Sequence, residues 1–403
     1  MRRNGPFLSA SFLLIFALGA ATPAEPQPTP PRPPIKVGLL LSYTGVFAEL
    51  GKEVTNGFQL ALEERGGRVA GRAIEVRQED DENKPDVGLT KSRKLVERDR
   101  VHVVIGPISS AVALAMRDYL VSQKQVWIIN VSVVPALTDP DKTSPYYFRI
   151  ADTLFQGQYP FGQWAYRNTP YRRVSLMASN FVTGRESVES FAKGFTGLGG
   201  TIVDRVFPPL GTSDYAPFLS SLDPKKADAV YAWFAGADAI RVLKQYKEFG
   251  LKERLPLMGY NTMAEDSWLA QGILGDEALG GLSPARYRPA LATPENRAFV
   301  GAYERRYQRP PTQYDETGYT AALLLMKAVE LVQGQVENVE GFLKAIREAA
   351  PSLSAPRGPI RFNENNQVIT NEYISRVDRV GGRLQNVVIE TLKAVPQFPW
   401  ESQ

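Results

Sequence analysis

Val101-His102-Val103-Val104-Ile105-Gly106-Pro107-Ile108-Ser109-Ser110 is the stretch that decides the fold. Its first half is a short apolar run of the kind that forms a buried strand. The helix that follows is written in the spacing of Val112, Ala115, Met116 and Tyr119, at i, i+3, i+4 and i+7 over 109–122. A strand that turns through Gly106-Pro107 into a helix opened by serines is half of a βα unit. The same alternation extends to both sides. Upstream lie an apolar strand at 35–41, a helix over 49–65 with Val54, Phe58, Ala61 and Leu62 on one face, an alternating strand at 73–79 and a helix over 85–98. Downstream, 125–130 is the next strand. A second series follows Tyr146-Tyr147-Phe148-Arg149, with strands at 172–178, 201–207, 228–233 and 255–259 and helices over 184–198 and 237–249. Helices over 293–307, 314–333 and 339–349 and strands at 359–362 and 367–377 complete the chain. Strand–helix alternation implies parallel sheets covered on both faces, so two such series predict an α/β protein of two doubly wound, Rossmann-like lobes.

The N-terminus reads as an export signal: Arg2 and Arg3, an apolar stretch from Phe7 to Ala20, then small residues at Ala20, Ala21 and Ala24. That stretch falls short of the roughly 20 residues of a spanning helix. A signal peptide over 1–24 and a proline-rich leader over 25–34 are therefore expected. No later segment is apolar for long enough to span a bilayer, which predicts a soluble mature chain in the periplasm. The chain has no cysteine. That excludes disulfides, thiolate metal sites, cysteine nucleophiles and a lipid-modified N-terminal cysteine. Lys plus Arg is 47 against Asp plus Glu at 43, a net +4 dispersed along the chain, too mild a balance to imply nucleic-acid binding.

The chemistry is that of a binding site. Free N–H groups at a helix N-terminus attract an anion such as a carboxylate, although taken alone Ser109 and Ser110 read first as plain helix caps. Ligands of open α/β sheets bind beyond the carboxyl ends of the strands, where this turn lies. Asn130-Val131-Ser132-Val133 ends the next strand at the same edge, facing Ser110. Against this, no catalytic set can be assembled. The one histidine, His102, sits in an apolar strand, and neither a nucleophile elbow, a P-loop nor a zinc motif occurs. Gly197-Leu198-Gly199-Gly200 fails the dinucleotide pattern. Glu79-Asp80-Asp81-Glu82 reads as a solvated loop, with calcium the alternative. We expect no enzyme activity, no cofactor and no metal.

The residues from Ile35 to about Leu392 resemble the branched-chain-amino-acid-type family of periplasmic binding proteins, the type I solute receptors of ABC importers. The resemblance rests on an ordered series: Ile35-Lys36-Val37-Gly38, Thr44-Gly45, Gly51, Gly57, Gly66-Gly67, Gly71, Asp80-Asp81 and Val104-Ile105-Gly106-Pro107 with Ser109-Ser110. Ser144-Pro145-Tyr146-Tyr147-Phe148-Arg149 and Gly358-Pro359-Ile360-Arg361-Phe362 continue it. It implies two lobes joined by three crossings near Ile150, Leu282 and Arg357, with lobe 1 at 35–150 plus 283–357 and lobe 2 at 151–282 plus 358–395. It further implies a hinge closing on ligand, a monomer partnered with ABC permease subunits, and no nucleic-acid partner. The sensory subunit of a signalling system would share the fold.

The ligand-binding set that the resemblance implies is Phe47, Ser109, Ser110, Val131, Ser132, Val133, Phe181, Thr183, Ala235, Asn261 and Tyr314, with Ser110 and 131–133 holding a carboxylate. The sequence departs from the amino-acid-binding pattern in three places. Asn261 stands where an acidic partner for the ammonium group is expected, Ala235 replaces an aromatic, and Thr183 replaces a tyrosine. Burying an unpaired ammonium costs several kcal/mol, so an aromatic or other organic carboxylic acid is the expected ligand, with a branched-chain or other amino acid as the alternative. An amino acid would need another acidic group, such as Asp315 beside Tyr314.

Overall fold

Val37, Leu39 and Leu41 of β1 (Ile35–Leu41) pack into one apolar cluster and Leu40 into another, so the strand is covered on both faces. That is the condition for a parallel sheet, and β1 pairs in parallel with both its neighbours. The computed structural model describes residues 32–259 and 261–399, with residues 1, 2 and 5. The expected signal peptide and most of the proline-rich leader lie outside the described residues. The residues from Pro33 on make up one compact unit.

In chain order, α1 (Ala48–Glu64), β2 (Arg68–Val69), β3 (Arg72–Asp80), α2 (Pro85–Arg93), β4 (Val103–Ile105), α3 (Ser110–Ser122), β5 (Val126–Ile129) and β6 (Tyr147–Arg149) follow β1. Among the described residues these strands form a six-stranded sheet in the order β2-β3-β1-β4-β5-β6. The second series is α4 (Leu154–Asn168), β7 (Arg173–Ala178), α5 (Val182–Thr196), β8 (Thr201–Val206), α6 (Ala216–Leu219), β9 (Ala229–Trp233), α7 (Ala237–Glu248), β10 (Leu257–Gly259), α8 (Asp266–Ala270) and β11 (Leu282–Ala285). Then α9 (Pro294–Tyr307), α10 (Gln313–Leu331) and α11 (Val339–Ala349) return to the first lobe, where the Thr317 hydroxyl donates to the Asn130 carbonyl at 2.7 Å. Finally β12 (Arg361–Phe362), β13 (Val368–Val380) and β14 (Arg383–Val395) complete a second sheet ordered β12-β13-β11-β10-β9-β7-β8, with β14 on β13.

Three details differ from the sequence reading. The second crossing comes after Ala285 rather than near Leu282, because β11 is held in the second sheet by Met258 on one side and Tyr373–Arg376 on the other. A helix, α4, forms around Pro160, which interrupts its pattern in sequence. Thr153 and Gln156 close a capping box at its start, and Phe161 packs on Phe191 of α5. His102 lies just outside β4, and its Nδ1 accepts the Lys36 backbone N–H at 2.9 Å, a structural role.

The crossings are tied to one another by buried charges. Arg357 Nη1 donates to the Ile150 carbonyl at 2.8 Å and its Nε to Glu316 Oε1 at 2.9 Å. Arg286 Nη1 donates to Asp152 Oδ1 at 2.5 Å, so the second crossing is fastened to the first. Arg149 bonds Gln367, whose Nε2 donates to the Ala151 carbonyl at 2.8 Å. Breaking one partner of such a buried pair costs about 3–5 kcal/mol, which makes this a stiff anchor around which the lobes are arranged.

Candidate ligand-binding site

Gly106 follows β4 with φ +118°, and a β-carbon there would lie 2.0 Å from the Leu40 carbonyl, so only glycine makes this turn. Trp127 Nε1 donates to the Gly106 carbonyl at 2.6 Å and fixes it. The turn delivers Ser109 to the N-cap position of α3 and Ser110 to its first residue, both buried. Ser109 makes no side-chain cap bond, so the plain capping role is not the one it takes. Ser132 Oγ donates to Ser110 Oγ at 3.2 Å, joining the two strand-end loops into one polar corner.

Phe47 reaches the same space from the loop after β1, which the acidic run holds in place. Asp80 accepts the Tyr43 N–H and the Thr44 hydroxyl, each at 2.9 Å, and Asp81 accepts the Ser42 hydroxyl at 2.6 Å. Burial alone would raise the Asp80 carboxyl, but the N–H bonds from Tyr43 and Glu82 outweigh it and hold it low. Glu79 pairs with Lys91 at 2.9 Å and with Lys94. Among the described residues no group of three or more His, Cys, Asp or Glu side chains could hold a metal ion.

The second lobe closes the other side. Phe181 stands just before α5, 5.4 Å from Trp233 and 6.3 Å from Phe47 between ring centres, so aromatic rings from both lobes form one wall. Thr262 donates to the Phe234 carbonyl at 2.5 Å. At the start of α10, Gln313 Nε2 donates to Glu265 Oε1 at 3.0 Å across the lobes. Burial, reinforced by Asp266 and only partly offset by Arg288, pushes the Glu265 carboxyl up to about 8.

These residues line a space that, counted together with the solvent open to it, is about 420 Å³. Nine of the eleven residues selected from sequence line it: Phe47, Ser109, Ser110, Val131, Val133, Phe181, Thr183, Ala235 and Tyr314. Ser132 stands behind Ser110. Asn261 is buried beside the wall without lining it; the chain leaves β10 in a 3-10 turn, Asn261–Met263, which presents Thr262 instead. Asp315 is also excluded, because it is engaged by Arg309, Thr312 and Tyr303. Trp233, two residues before Ala235 at the end of β9, supplies an aromatic to the wall, and the Val46 carbonyl lies against Gly236. Leu50, Ile108, Trp233, Thr262, Arg286 and Gln313 complete the lining and were not selected from sequence. Trp233 alone had a signal, as the last residue of its strand. Among the described residues the one charged side chain in the lining is Arg286, a cation.

Comparison with known proteins agrees with this geometry. The family model for periplasmic binding proteins matches residues 34–383. An ABC transporter substrate-binding protein from Sphaerobacter thermophilus is 35% identical, with a TM-score of 0.83 over 90% of this chain and 98% of its own. A solute-binding protein of an ABC transporter from R. palustris, solved in complex with benzoate, is 28% identical with a TM-score of 0.82 over 88% of this chain and 96% of its own. Leu/Ile/Val-binding protein homolog 6 of Brucella melitensis is 26% identical over 89% of this chain and 92% of its own. Two doubly wound lobes with a lined space at the strand ends, matched over nearly the whole chain from Pro34, place it: the chain belongs to the periplasmic binding protein family, the substrate-binding proteins of ABC transporters, which bind solutes and are not enzymes.

Proposed function

We propose that this protein binds a small aromatic carboxylic acid between its lobes and hands it unchanged to the permease of an ABC importer, acting as an exported monomer. The observation that carries the reading is the charge of the lining: one cation, Arg286, and no carboxylate among the described residues. A carboxylate is drawn to the Ser109–Ser110 corner, where the first N–H groups of α3 and the serine hydroxyls can donate to it. The ring lies along Phe47, Phe181 and Trp233, where aromatic pairs add about 0.5–1.5 kcal/mol beyond burial. The benzoate bound by the R. palustris protein supports the ligand class. The Leu/Ile/Val-binding relative favours an amino acid instead. An ammonium group, however, would meet no lining carboxylate here. Thermal shift with a panel of aromatic acids and amino acids tests the reading, because a ligand stabilises by RT ln(1 + [L]/Kd). Benzoate-type acids should raise Tm and leucine, isoleucine and valine should not; the reverse pattern overturns the proposal.

A further inference from the structure

The bond that joins the lobes behind the lining ends on a buried carboxyl. Glu265 stands at the N-cap of α8 in the second lobe and is 1% exposed. Gln313, which lines the ligand space, opens α10 of the first lobe and donates to Glu265 Oε1 at 3.0 Å. The cations around this carboxyl are committed to other acids: Arg288 to Asp266 at 3.4 Å, Arg286 to Asp152 at 2.5 Å and Arg309 to Asp315 at 2.8 Å. The remaining groups that face it are Asp266 beside it, Glu53 of α1 and Tyr314 of α10, none of which can neutralise an anion. A buried anion in such surroundings is costly, so Glu265 keeps its proton far above the ordinary carboxylate range. Parting the lobes breaks the bond to Gln313 and lets water reach the carboxyl, which then ionises near its ordinary value.

We propose that capture of a ligand between the lobes takes up a proton at Glu265, so that acid tightens binding and alkali loosens it. The sign follows from linkage. At neutral pH the parted lobes carry an ionised Glu265 and the joined lobes a protonated one, and the state that holds more protons gains as pH falls. Glu265 acts through Gln313 and does not line the space, so it regulates the site without being a ligand contact. The proton uptake does not depend on which acid fills the space; only the choice of benzoate as a probe rests on the aromatic-acid reading above.

Titration calorimetry with benzoate and, in parallel, leucine tests this on the wild-type protein. The acid that binds should bind at least about fivefold more tightly near pH 6.5 than near pH 8.5, and at pH 7 the heats in phosphate and Tris should report uptake of roughly half a proton or more. Glu265→Gln, which keeps an acceptor for Gln313, should bind equally at both pH values within about twofold and take up no proton. His102→Gln should keep the wild-type slope, because the one histidine bonds Lys36 just ahead of β4, at the opposite end of that strand from the site. Should Glu265→Gln fail to fold, the buffer pair on the wild type decides alone. Benzoate binding with equal affinity at both pH values overturns the inference and leaves the aromatic-acid reading standing. A slope that survives Glu265→Gln overturns it too, by assigning the proton to another group. Leucine binding with the slope, and benzoate not at all, overturns the aromatic-acid reading and leaves the inference standing. Binding of neither acid overturns both.

Discussion

Gly236 in the second lobe faces the carbonyl oxygen of Val46 in the first so closely that a β-carbon there would lie 2.3 Å from it. The glycine has φ +57° and ψ −139°, a conformation open to glycine alone. Its missing side chain is therefore what lets the lobes meet beside Phe47, one residue from Val46. The contact joins the two lobes next to residues that line the space between them.

Gly236→Ala should hold the lobes apart. We expect ligand affinity to fall at least tenfold, while the unliganded protein loses only the strain of a side chain at that backbone, about 1–2 kcal/mol. Small-angle scattering should show the wild type contracting with saturating ligand and the variant contracting less. Equal contraction in both would show that the contact does not govern closure.

Ser110→Ala removes a hydroxyl from the corner proposed to hold the carboxylate. A hydrogen bond to a charged group contributes about 1.5–3 kcal/mol, so affinity should drop roughly ten- to hundredfold. Thermal stability should change little, because the bond lost with the hydroxyl is the 3.2 Å contact with Ser132. An affinity within twofold of wild type in a folded variant would move the carboxylate to Arg286.

Glu265 gives stability a pH dependence with a definite sign. Its carboxyl is pushed up to about 8 in the folded protein, above its ordinary value of 4.5, so the folded state holds the proton more tightly than the unfolded chain. Its contribution is most favourable below pH 4.5 and is lost as pH rises toward 8. Glu265→Gln keeps the acceptor for Gln313 and removes the titration. Tm of the variant should match wild type near pH 5 and exceed it at pH 8, by an amount corresponding to more than about 1 kcal/mol. Parallel Tm curves for the two proteins would rule out this role.

Much of this was written locally and some of it was not. The Gly106–Ser110 turn could be read because a strand, a glycine and a serine-started helix are contiguous, and sheet topology alone carries Ser110 to the ligand edge. Ala235 follows the end of β9 at Trp233 by two residues, so choosing Ala235 found the right wall but not its aromatic. Asn261 was off by one because a 3-10 turn rotates each residue by about a third of a turn, and a count from the end of β10 does not reveal which side chain faces inward. Arg286 carried no local signal. Arg286-Tyr287-Arg288 resembles any dispersed basic stretch, and its burial arises only where the crossings at Asp152 and Ala285 meet in space.

Thr262 supplies the sharpest test of ligand class, because it holds the wall position expected of Asn261. With no carboxylate in the described lining, the wild type should bind 3-phenylpropanoate at least tenfold more tightly than phenylalanine, about 1.4 kcal/mol, the two differing only in the ammonium group. Thr262→Asp places a carboxylate in the wall, giving an ammonium a partner and repelling a plain acid, so the gap should narrow or invert. Asn261→Asp is the control. Asn261 is 1% exposed and does not line the space, so the new charge would be buried beside the wall, lowering Tm while leaving the ratio of the two affinities nearly unchanged. Calorimetry on the matched pair measures all three proteins. Tighter binding of phenylalanine by the wild type would mean that an acidic group reaches the ligand after all. Glu265, one hydrogen bond behind Gln313, would then be the first carboxylate to replace, and Glu265→Gln should abolish that preference.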